Sequence, residues 1–598
     1  MRNQLEALFY KGDYKTLVET VEKTTRITPS ELIFVIAANV FLGRIHEAQA
    51  LYEEDGPNPE AKCANLFFLA LHFVRSSQYS KARQMLARAL ILARKNPKLP
   101  QVQFFAYQGI AFLKFFYGKL ARCQSFAEIA YDAAIKGNFQ YGKILSLDLL
   151  GHSYVNSGMV VQGLKFLEEA LSISIAIGHQ ANAEAVRVSI QKYKCQMGID
   201  GDNALRVLTE LEETISDKDT YTRSELLLEL ARQYTLRGRF EDADRVIGQG
   251  FDIVYRHGNL RQVSKLNFHI AYLLYLRGEY VQALSLLKTS RMQLDSTADI
   301  PLKCQIIGLE LQILRADGKI SSETTARLQD ELVVLSSNNQ QDINRRVLSR
   351  QGLLSEGSPP VGNDRIGDLI DLKYSDLPRA VSKIIESGYF SLLADRIPFF
   401  PKNEGIVFDF EPGVVLLAGR KSISIKHIGN QTVGKRICSA LSNSSTVDKA
   451  TLVRKVWGYQ YHPLRHDSLI YTAIARLRAL FAPNENWLIA SESGYKLGEN
   501  IQVHFEQLVS LPNVEVKTQG ENSSQKLSLR DNLNYRQFRL INELRENQAL
   551  SVSEFAKSCD ISIMTAFRDL TGLVDRGILK HNGRGRSRRY YLASNLLR

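Results

Sequence analysis

Apolar and small positions in the first half of the chain fall into a frame set by Gly118, Gly158, Gly198, Gly238, Gly278 and Gly318, one glycine every 40 residues. Two residues after these glycines the position is usually apolar (Leu120, Val160, Phe240, Tyr280, Ile320), and five after it is small (Cys123, Gly163, Ala243, Ala283). Seven before stand Ala111, Gly151, Ala231 and Ala271, and twelve after stand Ala130, Ala170, Gly250 and Ser290. The frame extends back to Ser77, flanked by Ala70, Ala82 and Ala89, and more loosely to Gly43 and Gly12. Such a pattern predicts pairs of antiparallel helices. Glycine at the turn can take a left-handed conformation and end the first helix, and small residues let the two axes approach. The unit around Gly198 departs from the frame, with Gln191 where a small residue is expected.

Past the turn-rich run Gln351–Gly362 a helical pattern returns over Leu377–Ala394 and stops before Pro398 and Pro401. The period then changes. Ile406–Phe410, Val414–Leu417 and Ser422–His427 are short β-branched runs separated by turns, which predicts an antiparallel meander. Helical stretches follow at Thr432–Leu441, Val447–Val456 and Asp467–Phe481, then two strands around a turn in Trp487–Leu497. After the polar stretch Thr518–Gln525, helices are expected at Tyr535–Glu546, Ser551–Ser558 and Ser562–Val574, the last with Ser562 as N-cap, and a hairpin at Ile578–Leu592 with Gly583 and Gly585 at its tip. The expected domains are a helical repeat region over 1–350, a linker with a helix over 351–404, a winged helix over 405–500, a second linker over 501–529 and a second winged helix over 530–598. The fold class is mainly α: an α-solenoid followed by two winged helix-turn-helix domains.

Charge sharpens this division. The 598-residue chain carries a net +13, and residues from Gly405 onward hold 27 Lys+Arg against 17 Asp+Glu, which leaves the first 404 nearly neutral. A basic C-terminal third points to a polyanionic partner, double-stranded DNA first. Cys63, Cys123, Cys195, Cys304, Cys438 and Cys559 are far apart and form neither a CxxC pair nor a His-rich cluster, so core packing in a reducing compartment is expected rather than disulfides or zinc. No stretch has a signal-peptide pattern or bilayer-spanning length, the longest apolar run being Leu32–Leu42, which predicts a cytoplasmic protein with no membrane partner.

Small-small-small triads with a turn glycine resemble the tetratricopeptide repeat over about residues 1–335. The 40-residue unit is similar to the sensor solenoids of bacterial regulators of the MalT kind. That resemblance implies a concave face for a protein, peptide or small ligand. A rigid scaffold without a ligand is the alternative. In the basic third, Val456-Trp457-Gly458, Ile474-Ala-Arg-Leu-Arg478 and Gly494-Tyr495-Lys496-Leu497 resemble the OmpR/PhoB-type effector domain. The resemblance implies that the third helix enters the major groove and the wing reaches a neighbouring minor groove or phosphate. Arg465, Arg476 and Arg478 would then contact phosphates, Thr472 and Ala475 would face base edges, and Lys496 would sit on the wing. Ile470, Ile474 and Leu477 are spaced for the core. Ser562–Leu570 with Leu573 resembles the recognition helix of DeoR-type regulators, and the following hairpin is similar to the winged ends of that group and of Fic-associated domains. Thr565 and Arg568 on the helix, and Arg584, Arg586, Arg588 and Arg589 on the wing, are the DNA-contacting residues this implies. A protein-binding or dimerising winged helix is the alternative for this last domain.

No catalytic constellation is apparent. His46-Glu47 lacks the second histidine of a zinc-protease motif, and there is no G-x-S-x-G elbow. The G-x-x-x-x-G-K match at Gly429–Lys435 is followed by Arg436 instead of Ser or Thr and flanks a helix of a different fold, so it is not read as a phosphate loop. The expected protein is therefore a non-enzymatic bacterial-type transcription regulator without cofactor or metal. It could form a homo-oligomer. The competing reading is a repeat scaffold whose winged helices bind protein or RNA.

Overall fold

A computed structural model describes residues 2–23, 27–53, 58–76, 78–215, 220–257, 260–294, 299–318, 321–337, 342–351, 353, 365–397, 399–400, 402–409, 413–428, 432–442, 446–505, 540, 549–558, 562–575, 578–583 and 588–593. Two compact units divide the chain, Met1–Ala394 and Asp395–Arg598.

The first unit is a helical solenoid whose dimensions follow from the repeat. Pro100–Phe116 and Leu120–Lys136 are each 17 residues long and are joined by Tyr117-Gly118-Lys119. Another three-residue turn leads to the next pair, Gln140–Asn156 and Val160–Ala176, and this completes the 40-residue period. At the turn Gly118 has φ +68°, its N–H donates to Phe115 O at 2.9 Å and the Lys119 N–H donates to Lys114 O at 3.0 Å. This is the left-handed glycine stop that satisfies the last carbonyls of a helix. Ala111, Cys123 and Ala130, like Ala231, Ala243, Ala271 and Ala283, are fully buried where helices cross. Burial also pushes the Cys63, Cys123 and Cys195 thiols up to about 12, so they serve as small packing groups.

Inward curling narrows the concave face. The first hairpin, Arg2–Tyr10 and Tyr14–Glu22, meets hairpins far along the array: the Phe9 ring lies 5.6 Å from Tyr141, and the Tyr10 ring 4.8 Å from His179. Further along, the Arg75 guanidinium lies 4.0 Å from the Tyr221 ring centroid, and Arg261 lies 5.1 Å from that of Phe116. Side chains from repeats far apart along the array therefore meet, where the sequence implied a concave face.

Irregularity at Gly198 has a structural counterpart. Helix Gln180–Met197 ends at Gly198, Asp200 takes φ +48°, and the next helix, Gly201–Thr214, is shortened to 14 residues. Against this turn folds the segment that the sequence reading placed in a linker over 351–404. Helices Arg365–Ser375 and Leu377–Ser387 and the 3-10 turn Phe390–Arg396 follow one another there. Arg346 pairs with Asp368 at 2.7 Å and with Asp371. Tyr389 Oη donates to Cys195 O at 3.2 Å, and Ser391 Oγ donates to Leu236 O at 2.8 Å. Residues 365–394 therefore belong to the first unit and pack at the Gly198 turn, where the repeat frame departs. Most of the turn-rich run 351–362, together with Ser77 and Ile320, lies outside the described residues.

In the second unit, β1 (Glu404–Asp409), β2 (Val414–Ala418) and β3 (Ile423–His427) form the meander. Helices Thr432–Ser442, Lys449–Trp457 and Pro463–Phe481 follow, then the wing strands β4 (Leu488–Ser491) and β5 (Gly494–Leu497). A strand not foreseen, β6 (Ile501–His504), pairs parallel to β1 and completes the sheet order β3-β2-β1-β6. The domain consequently runs to at least residue 504 rather than 500. Further on, helices Val552–Ser558 and Ile563–Asp575 precede the hairpin β7 (Leu579–Asn582) and β8 (Arg589–Leu592). Leu540, Phe555, Leu570, Leu573 and Tyr590 form their core. The expected linker 501–529 beyond residue 505, and the helix Tyr535–Glu546 apart from Leu540, lie outside the described residues.

Candidate nucleic-acid interface

The third helix of the first winged domain is placed by its neighbours. Asp448 caps the second helix by accepting the Thr451 N–H at 2.9 Å, and Gly458 at φ +77° ends it. Pro463 then opens the third helix four residues earlier than its apolar pattern suggested. Proline suits this position because its missing N–H would be unpaired anyway, and the His462 N–H is taken by His466 Nδ1 at 2.8 Å. Arg465 accordingly stands in the first helical turn. Ile470, Ile474, Leu477 and Phe481 point into the core with at most 3% exposure. The opposite face carries Arg465, Ser468, Leu469, Thr472, Ala475, Arg476 and Ala479, all exposed and spaced at three or four residues.

This face contains four of the six residues picked out in the domain, and the other two are placed differently. Arg478 is half-buried and donates from Nη2 to Leu488 O at 3.2 Å, which ties the end of the helix to the start of the wing. Lys496 is half-buried on β5, opposite Ile489. The wing's return strand runs so close to the entry of the second helix that a Cβ on Gly494 would lie 2.1 Å from Val447 O, and glycine alone fits.

Sequence reasoning missed a clasp beside this face. Lys449 Nζ donates to Asp467 Oδ2 at 2.9 Å and to Tyr471 Oη at 2.8 Å, while Tyr461 Oη donates to Asp467 Oδ1 at 2.6 Å. Hydrogen bonds to Tyr471 and Asp467 hold the Lys449 ammonium above its ordinary range, and those from Tyr461 and Lys449 hold the Asp467 carboxyl below its own. Tyr471 is therefore occupied in joining the second and third helices. Lys449 lies 18 and 22 residues from its two partners, and no spacing rule links them. Lys426 likewise caps the far end of the third helix, donating to Ala482 O at 2.8 Å. Gly434 and Lys435 lie within the helix Thr432–Ser442 rather than in a loop that could wrap a phosphate.

In the last domain Arg568 is exposed, but Ile563, Met564 and Phe567 share the exposed side of that helix at 66, 72 and 41% exposure. Ser551 and Glu554 form a reciprocal cap, with the Ser551 N–H on Glu554 Oε2 at 2.7 Å and the Glu554 N–H on Ser551 Oγ at 3.2 Å. Arg589 Nη1 joins the same carboxylate at 2.5 Å, so the wing arginine is bound to the protein's own helix. The bonds from Ser551 and Arg589 bring Glu554 down to about 2. Arg588 is half-buried. Arg584, Arg586 and the Thr565 side chain lie outside the described residues.

Among the described residues no helix is long and apolar enough to cross a membrane. The family described as DeoR-like helix-turn-helix domain matches residues 536–588. No curated protein matches the chain. Among solved structures, the apo form of the quorum sensor NprR from B. thuringiensis aligns with 13% identity over 56% of this chain and 97% of that one, with a TM-score of 0.35. The Saccharomyces cerevisiae separase–securin complex aligns with 11% identity over 80% of this chain and 42% of that one, with a TM-score of 0.37. Residues 536–588 thus match the DeoR-like helix-turn-helix domain, on a chain whose first unit is an α-solenoid.

Proposed function

We propose that the chain is a bacterial, cytoplasmic transcription regulator. Its OmpR/PhoB-like winged helix binds duplex DNA, and its MalT-like solenoid takes up a ligand or partner. One observation carries the DNA-binding reading: the helix Pro463–Phe481 presents a continuous exposed face bearing Arg465, Thr472, Ala475 and Arg476 within the basic third of the chain. Arg465 and Arg476 serve the phosphates, Thr472 and Ala475 the base edges, and Lys496 the wing contact. Arg478 is assigned to bracing the wing, given its bond to Leu488. No catalysis, metal or cofactor is assigned to the protein.

A second reading of the last domain is favoured by its exposed Ile563, Met564 and Phe567, which suit a protein surface better than a major groove. The Arg589–Glu554 pair points the same way, because it engages a wing arginine within the domain.

Fluorescence anisotropy with full-length protein and labelled duplexes tests both. Affinity should fall steeply as salt rises, because each neutralised phosphate releases counterions. Arg476→Ala should weaken every duplex alike and flatten the log–log salt slope by about one unit, whereas Thr472→Ala should reorder the duplexes. Absence of binding at low salt, or binding insensitive to salt, would overturn the proposal. Replacing Arg584, Arg586, Arg588 and Arg589 together with alanine should leave affinity unchanged if the last domain docks a protein, and lower it if that domain holds DNA.

A further inference from the structure

The exposed face of the helix Pro463–Phe481 has a chemistry that its arginines do not explain. Leu464, Ser468, Thr472, Ala475 and Ala479 are all exposed and recur at steps of three or four, which places them in one stripe along the helix. Leu464 heads the stripe at 92% exposure, more than any other large apolar side chain among the described residues. The core of the domain takes Ile470, Ile474, Leu477 and Phe481 from the opposite side and does not include it. Arg465 and Arg476 directly follow Leu464 and Ala475 and flank the stripe, so an anionic backbone drawn to the two guanidinium groups would cover these apolar side chains.

What the helix lacks matters as much. Adenine is read by the carboxamide of Asn or Gln and cytosine by a carboxylate, each through hydrogen bonds to the base edge. Asn, Gln and Glu are absent from this helix, and its one carboxylate, Asp467, accepts hydrogen bonds from Lys449 and Tyr461. Tyr471 Oη accepts from the same lysine, and His466 Nδ1 takes the His462 N–H while its ring stacks on Tyr459. Arg478 is tied to Leu488 O. The hydroxyls of Ser468 and Thr472 can donate or accept, so they bond to any base without distinguishing one from another.

One feature of a base pair remains that such a stripe can recognise. In the major groove thymine alone carries a methyl group, at C5, and apolar side chains and the methyl group of threonine make contact with it. The N-terminal residues of a helix lying in that groove are the ones that contact base edges, and this is where Leu464 stands.

We infer that this helix selects DNA by the C5 methyl groups of thymine, with Leu464, the Thr472 methyl group and Ala475 as the groups that contact them. The inference rests on the reading of Pro463–Phe481 as the DNA-reading element and specifies what it reads. Leu464 becomes a specificity-determining residue, and the favoured duplexes are those that place thymines along the helix.

Duplexes enriched from a random pool by the full-length protein supply the probe, each prepared once with thymine and once with uracil, which differs only in lacking the methyl group. The thymine form should bind about fourfold more tightly for each methyl group contacted, the effect of burying one group of that size. Thr472→Ser keeps the hydroxyl and loses the methyl group, so it should lower this ratio, whereas Thr472→Val should preserve it. Leu464→Ala should lower it as well, and the double variant Leu464→Ala with Thr472→Ser should lower it further. Arg476→Ala should weaken both forms alike and leave the ratio as it is. A 5-methylcytosine–guanine pair in place of a selected thymine–adenine pair should bind more tightly than the unmethylated pair. Leu464 and Thr472 are both on the surface, so the variants should keep the melting curve of the unaltered protein. Equal binding of the thymine and uracil forms, a pool that binds without any sequence being enriched, or a ratio that survives the double variant would overturn the inference. Salt-dependent binding that ignores the methyl group refutes methyl reading alone, whereas a pool with no bound fraction at low salt refutes DNA binding itself and the inference with it.

Discussion

Lowering the pH from about 7.5 to about 5 is expected to destabilise the solenoid by several kcal/mol while leaving its fold intact at neutral pH. The cause is a set of histidines held neutral on or near the inner helices. His179 is 1% exposed and stacks on Tyr141, and its Nδ1 accepts the Asn182 N–H at 3.3 Å. The ring proton therefore sits on Nε2, which has no partner among the described residues. Burial brings His179 down to about 4, as it does His72, where Arg75 and Lys81 add to the effect. His269 falls to about 3 through burial and the charges of Arg232, Lys265 and Lys192. Between these folded values and the ordinary 6.5, the unfolded chain binds protons that the folded chain refuses. Stability is full above about 6.5 and is lost as pH falls toward the folded values, at about 1.4 kcal/mol per unit for a group as buried as His179. Asp148 opposes this in part, because its raised pKa lets the folded state take up a proton in acid. Thermal melts followed by far-UV circular dichroism should show the fall. Tryptophan fluorescence should not follow it directly, because Trp457 and Trp487 both lie in the second unit. Identical melts at the two pH values would disprove the neutral-histidine account.

Substitution of Gly163 should destabilise the protein, and the same change at Gly248 should stabilise it. Both glycines sit inside helices, where alanine normally gains up to about 1 kcal/mol. At Gly163 a Cβ would lie 2.6 Å from Gly151 O and 2.8 Å from Val155 N, both backbone atoms that cannot rotate away. Parting the two helices to admit it costs about 1–3 kcal/mol for Gly163→Ala and more for Gly163→Val. Nothing lies within 4 Å of the corresponding point at Gly248, so Gly248→Ala keeps the ordinary helical gain. Denaturant midpoints moving in the same direction for both alanine variants would contradict this.

Gly163 and Gly151 are also where the sequence was most readable. They are small because two helices meet there, and they recur because the same meeting is repeated along the chain. Most other repeat positions that are described are buried for the same reason. Wing and meander were readable because period-two patterning and turn residues are short-range properties of the chain. The start of the third helix at Pro463 was missed because Leu464 in its first turn faces solvent and begins no apolar period. Strand β6 was missed because four residues with one pairing partner give too little pattern to count.

Chain-local physics therefore settled the repeat, its turn glycines, the order of strands and helices in the first winged domain, and the concentration of positive charge in the last third. Tertiary structure alone decided which of the basic residues there are free. Arg476 stays exposed, whereas Arg478 is drawn to Leu488 O and Arg589 to Glu554. It also decided that residues 365–394 fold back onto the solenoid, and that Arg75 meets Tyr221 from a distant repeat. These outcomes depend on the angle at which each hairpin stacks on the next. A small rotation repeated along the array brings together side chains that no periodicity in the sequence connects.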